Sequence, residues 1–193
     1  MIAGDVLTPL GDALLALVTL AVAGFATSQA LGLHRAGDAN RLGIRRIAFG
    51  ASREVATAPE EAWALVADAA GWAQFAPGVT ATTTDGAVRE GMQRTCVDDR
   101  GRAWSETCTS AEAGRTYRME VDTDTWPLRH RLLLDGFGMT WEVNPASLGT
   151  LLDLTFTGGV KLGILGRLAM AAMARKRPAE QILEAYASRL GPM

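Results

Sequence analysis

The sequence predicts an α+β fold: an antiparallel sheet wrapped on a long C-terminal helix, preceded by an N-terminal apolar helix. Three observations predict it. A helix-start signal near residue 57 follows one strand-like segment. About six consecutive segments of strand texture come next, joined by turn dipeptides. From about Lys161 the spacing of apolar residues returns to a helical period. Strands joined by short turns pair antiparallel. A sheet with one apolar face needs a cover, and the final helix is the long element left to supply it.

The 193 residues are 48% hydrophobic and 21% charged, with a formal net charge of −2. That length suits one domain plus an appendage, divided here into residues 1–43 and 44–193. The near-balanced charge offers no basic field for a nucleic-acid backbone, so no nucleic-acid partner is expected. Two Cys and two His are too few for an ordinary zinc site unless carboxylates complete it, and no metal or cofactor is expected.

Residues 13–33 carry no charge. A helix of roughly 20 apolar residues crosses a bilayer, and this run has the length. Three readings stand: a transmembrane anchor, a cleaved signal peptide, or an apolar helix packed on the domain or a partner. Asp5 and Asp12, with no Lys or Arg before Ala13, count against the signal peptide. His34, Arg35, Arg41, Arg45 and Arg46 follow the run against Asp38 alone. An anchor would therefore leave the N-terminus outside and the domain membrane-anchored in the cytoplasm. The alternative is a soluble cytoplasmic chain.

The domain opens with a strand over 44–55. Thr57-Ala58-Pro59-Glu60 has the pattern of a capping box, with Thr57 as N-cap and Glu60 at N3. Trp63, Val66, Ala67 and Ala70 then share one helical face. A short turn of helix over 72–75 ends at Pro77. Strands are expected over 79–84, 92–98, 102–110, 115–124, 132–143 and 150–157. Tyr117, Met119 and Val121 share a face in one of them. So do Leu133, Phe137, Met139, Trp141 and Val143 in the next, and Leu152, Leu154 and Phe156 in the last. Asp85-Gly86, Arg100-Gly101, Asn144-Pro145 and Leu148-Gly149 mark turns. Leu165, Leu168, Ala169 and Ala172, then Ile182, Leu183, Tyr186 and Leu190, keep a helix period, which Pro178 should kink or split.

Ala58-Pro59-Glu60-Glu61-Ala62-Trp63, Leu65-Val66-Ala67-Asp68, Gly71-Trp72 and Phe75-Ala76-Pro77-Gly78-Val79 resemble the opening signature of START-like proteins. These form the SRPBCC superfamily, with its polyketide cyclase/dehydrase and lipid transport group. Trp141-Glu142-Val143-Asn144-Pro145 and Gly149-Thr150 are similar to its later pieces. The resemblance covers about residues 44–191. It implies a helix-grip fold enclosing a hydrophobic cavity, and a hydrophobic small-molecule ligand such as a lipid, quinone or polyketide. The group shares no universal catalytic motif, so no catalytic residue is carried over.

Trp63, Phe75, Trp104, Tyr117, Met119 and Phe137 are candidates to line that cavity. Met139, Trp141, Phe156, Leu165, Leu168 and Met173 join them, and each serves equally well as core filling. Arg94, Glu106 and Asp135 are the candidate polar groups within it, although solvent is the ordinary place for each. A cyclase or dehydratase would draw its acid or base from Glu106, Asp135, Tyr117 or His130. His34 reads as a linker residue, and His130, between Arg129 and Arg131, as a solvated one. Gly158-Gly159 and Gly163-x-x-Gly166 read as turn and packing glycines rather than a phosphate loop.

If Arg100-Gly101 is a two-residue loop, Asp99 faces Arg102, Cys96 faces Ser105 and Cys108 points to the opposite side. A one-residue shift puts both thiols on one face but four residues apart. Either way they stay reduced. Arg167, Arg175, Lys176 and Arg177 make the last helical stretch basic, suited to anionic headgroups if residues 13–33 enter a membrane. Three functions remain: a membrane-tethered binder of a hydrophobic molecule, a cyclase or dehydratase using the same cavity, and a non-catalytic structural or regulatory membrane partner.

Overall fold

Alternation of apolar and polar side chains decides the sheet. In the computed structural model, residues 45–126 and 128–191 are described. The strands are β1 (Arg45–Val55), β2 (Val79–Thr84), β3 (Gln93–Asp98), β4 (Ala103–Glu112), β5 (Thr116–Val121), β6 (Leu134–Ala146) and β7 (Gly149–Val160). They form one sheet, ordered β1-β7-β6-β5-β4-β3-β2, with every neighbouring pair antiparallel. One face carries Phe49, Val55, Leu152, Leu154, Trp141, Val143, Tyr117 and Met119, all buried. Intervening residues such as Glu142, paired with Asp153, take the other face. The expected strands are therefore present, within a few residues at their ends.

Among the described residues four helices accompany the sheet: α1 (Pro59–Val66), α2 (Leu128–Leu133), α3 (Ile164–Arg175) and α4 (Pro178–Leu190). A 3₁₀ turn spans Ala70–Gln74. Helix α4 lies along β1 and β7, α3 over β7 and the start of β1, and α1 against β6, while the 3₁₀ turn sits against β2. Ile182, Leu183, Tyr186 and Ala187 form the buried face of α4. The expected split at Pro178 is real: Arg177 turns left-handed (φ 50°), and Pro178 starts a new helix where its missing N–H costs nothing.

Several local expectations are corrected. Thr57 does not cap α1. Pro59 occupies its first turn, so Ala58 is the N-cap, and the Thr57 hydroxyl donates to the Leu190 carbonyl at the end of α4. The buried residues of α1 are Ala62 and Val66, with Trp63 half-buried and Ala70 exposed. Leu133 belongs to α2, and a bulge between Asp135 and Phe137 resets the face of β6. Asn144-Pro145 continues β6, and Pro145 still pairs with Thr150. Gly158 and Gly159 lie within β7 rather than in a turn. Gly166 is a packing glycine as expected: a Cβ there would stand 2.8 Å from the Leu133 carbonyl oxygen.

The hairpin between β3 and β4 has a three-residue loop. Val97 pairs with Ala103, and the Asp98 amide bonds the Arg102 carbonyl at 3.0 Å. Gly101 takes the left-handed position that such a loop requires (φ 72°). The Asp98 carboxylate fixes the turn by accepting from the Arg100 and Arg102 amides, each at 2.9 Å. Cys96 therefore faces Trp104, not Ser105, and Arg94 faces Glu106. Both thiols are buried and free on one face, which is the shifted register.

The apolar run at 13–33, with its anchor, signal and packed-helix readings, lies outside the described residues. Among the described residues no helix is long and apolar enough to cross a membrane.

Candidate functional site

The inner face changes character at β3 and β4. Arg94 is 1% exposed and Glu106 7%, directly opposite each other across the ladder. Arg94 Nε donates to Glu106 Oε2 at 3.0 Å, and Nη2 donates to the same oxygen. Trp104 Nε1 donates to Glu106 Oε1 at 2.8 Å. Both carboxylate oxygens are thus engaged. The Arg94 guanidinium stacks over Trp72, 4.7 Å from the ring centroid. Trp72 is placed there by the 3₁₀ turn, where Asp68 Oδ1 accepts the Gly71 amide at 3.1 Å.

This patch is buried. Burial works against the charge on Arg94, but the Glu106 carboxylate, with smaller contributions from Tyr117 and Cys96, outweighs it, so the guanidinium holds its proton more tightly than usual. Burial pushes the Cys96 thiol up to about 12 and raises the Cys108 thiol. Tyr117 and Tyr186 are likewise raised by burial and stay neutral. The Tyr117 hydroxyl donates to the Val66 carbonyl at 3.0 Å, which ties β5 to α1.

Three buried donors along this interior have no acceptor among the described residues: Arg94 Nη1, Trp141 Nε1 and the Tyr186 hydroxyl. Tyr186 stacks on Phe75 at 4.0 Å and meets Trp141 edge-on at 5.0 Å. An unpaired buried donor costs about 1–3 kcal/mol. The arrangement therefore suits an acceptor oxygen brought in by a guest.

The candidate lining residues fall into separate groups. Trp63 is half-buried, edge-on to Tyr117 at 6.0 Å. Met119 and Met139 are buried partners across β5 and β6. Phe137 is half-buried and stacks with buried Phe156 at 5.7 Å. Leu168 and Met173 are half-buried on α3. Leu165 does not belong inside: it is 56% exposed, because Gly166 and Met170 form the inward face of α3. Asp135 is also excluded. It pairs with Gly159 on the outer face and meets Lys161 at 3.5 Å. His130, of α2, is half-buried rather than solvated, its ring 5.0 Å from Trp126.

Sequence reasoning missed Trp72, Tyr186 and the two cysteines as parts of this site. Trp72 had a signal in its place between Gly71 and Pro77. Tyr186 had one in sharing a helical face with Ile182 and Leu183.

The family described as polyketide cyclase / dehydrase and lipid transport matches residues 46–190. No curated protein matches. Among solved structures, the chain is similar to the di-domain ARO/CYC StfQ of the steffimycin biosynthetic pathway, at 17% identity and a TM-score of 0.59. That match covers 75% of this chain and 50% of StfQ, so the chain spans half the length of that relative. It is also similar to a truncated norcoclaurine synthase from Thalictrum flavum, at 13% identity and a TM-score of 0.62, over 80% of this chain and 99% of that one. At such identities the likeness is one of fold.

Proposed function

We propose, from the premise that this chain belongs to the polyketide cyclase / dehydrase and lipid transport family, that it binds a hydrophobic small molecule carrying an acceptor oxygen. The ligand class is a lipid, quinone or polyketide-like compound, held between the sheet and the C-terminal helix. The observation that carries the reading is the buried Arg94, locked by Glu106 and Trp72 with Nη1 unpaired in an apolar interior. Ligand pockets are mostly apolar with a few placed polar groups, and this patch supplies them. The apolar body of the guest would be held by burial, about 25 cal/mol per Å² before association costs. The uncharged run 13–33 would tether the domain beside a bilayer, its N-terminus outside and the domain cytoplasmic.

Binding or transfer fits this chemistry better than cyclisation or dehydration. An acid/base catalyst needs a proton it can exchange. Glu106 already accepts from Arg94 and Trp104, the Tyr117 hydroxyl already donates its hydrogen bond to the Val66 carbonyl, and Asp135 is on the outer face. His130, at the end of the row formed with Trp126 and Phe137, is the group an enzymatic reading would turn to.

Native mass spectrometry of the gently purified full chain tests the proposal. A co-purifying small molecule is expected, displaced when Arg94→Met/Glu106→Leu removes the polar patch. An empty protein whose melting temperature no lipid extract shifts would count against it.

A further inference from the structure

Six large apolar side chains are exposed among the described residues, and five of them belong to one edge of the domain. They are Leu128 and Leu132 of α2, Leu162 after β7, and Ile164 and Leu165 at the start of α3. Helices α2 and α3 touch, and the Lys161 amide, just before α3, donates to the Leu133 carbonyl at 2.8 Å. Helix α3 reads Ile-Leu-Gly-Arg-Leu-Ala-Met-Ala-Ala-Met-Ala-Arg. Its inward face is Gly166 and Met170. The first turns of its outward stripe, Ile164, Leu165, Leu168 and Ala172, are apolar too, with Arg175 at the far end of the same stripe, whereas surface helices of globular proteins normally turn polar residues outward. Leu162 projects from a left-handed backbone (φ 54°) that leucine rarely adopts.

The chain segment that forms this apolar edge carries charge of one sign. From 161 to 179 the chain has Lys161, Arg167, Arg175, Lys176 and Arg177 and no Asp or Glu. The nearby acids are Asp135 on Lys161, Asp124 on Arg131, and Glu180 and Glu184 of α4, with Glu184 bonded to Arg53. Such exposed pairs hold their partners weakly. The chain also enters the domain at this edge: Arg45, the first residue of β1, pairs with Val160. Residues 34–44 join it to the uncharged run and span at most about 40 Å when extended.

We infer that this edge docks on an anionic lipid bilayer. Helix α3 lies in the headgroup plane, with Leu162, Ile164 and Leu165 in the acyl boundary and Arg167, Arg175 and Lys176 at phosphate level. The half-buried rings of Trp126 and Phe137, 5.2 Å apart, lead from this edge to Phe156 inside the sheet, which is the direction a lipid-soluble guest would travel. The inference stands whether or not the interior binds such a guest.

The full chain with Leu165→Cys, bearing an environment-sensitive fluorophore on that cysteine, tests it. Cys96 and Cys108 are buried and their thiols raised, so the label goes to position 165. On phosphatidylcholine vesicles containing phosphatidylglycerol, the emission should shift to the blue and iodide quenching should fall. Partition should weaken about tenfold on phosphatidylcholine alone or with Ile164→Asp added. A label at Leu148→Cys, 73% exposed in the β6–β7 turn, should stay wet throughout. A label at 165 that remains wet on anionic vesicles overturns the inference, as does shielding that survives Ile164→Asp. Shielding in buffer at every concentration would put the chain's own preceding segment on this edge. Shielding that grows with protein concentration would put a second copy there. Either result overturns bilayer docking.

Discussion

Under α3 and α4 the inner face of the sheet is Val55, Leu152, Leu154 and Phe156, buried and apolar; across β3 and β4 the same face carries Arg94 and Glu106, equally buried. One half satisfies its environment by packing alone. The other places a charge pair where a pair of aliphatic side chains would serve stability as well or better. That difference separates the part of the fold that holds it together from the part that selects what it holds. Trp72 over Arg94 and Trp104 on Glu106 show that the second half is fixed in geometry rather than loosely filled.

Breaking the pair should have the largest effect. Glu106→Ala leaves a buried, unpaired guanidinium and should cost about 3–5 kcal/mol in urea unfolding. Arg94→Met/Glu106→Leu should return to within about 1 kcal/mol of the parent or exceed it, because nothing charged is left to desolvate. If the double variant is as unstable as the single one, the pair is a structural element and the contrast between the halves fails. Leu154→Ala comes next, at about 3 kcal/mol from lost burial and a cavity, and it should lower guest binding less than loss of the pair does. Trp72→Leu should cost about 1 kcal/mol through the lost cation–π contact, seen in the same denaturation assay, and should weaken binding more than Leu154→Ala does.

The smallest effect lies at the hairpin that sets the register of the polar half. Hydrogen bonds from the Arg102 side chain, then from its backbone amide, hold the Asp98 carboxyl down at about 2. Its folded value lies below the unfolded one, near 3.9. Its contribution is therefore present above about pH 4 and lost as pH falls towards 2. The melting-temperature gap between the parent and Asp98→Asn should be widest near neutrality and close over that window. A gap that persists at pH 2 would mean the carboxylate does not fix the loop.

The apolar half was legible in the sequence; Arg94 and Glu106 were legible as candidate polar groups of the interior, but their pairing was not, for a physical reason. Leu152, Leu154 and Phe156 alternate over a run long enough to mark one face, whatever their partners. Arg94 and Glu106 are single charges within strands, and a lone charge there ordinarily meets solvent. Their burial depends on pairing with each other, which depends on a three-residue loop closed by Gly101. A two-residue reading shifts every partner by one and hides the pair. Leu165 failed in the opposite sense. Helical spacing identifies an apolar stripe but not which stripe faces inward, and Gly166, chosen for close approach to Leu133, took that side of α3.

The central claim is that the buried patch recognises an oxygen acceptor on an apolar guest. Fluorene and 9-fluorenone have nearly the same shape and differ by one carbonyl oxygen, so titrating both against the full chain, followed by tryptophan quenching, isolates that oxygen. The account predicts that fluorenone binds the parent about tenfold tighter than fluorene, and that Arg94→Met/Glu106→Leu binds the two alike. Equal affinities in the parent, or a preference that survives in the double variant, would contradict it.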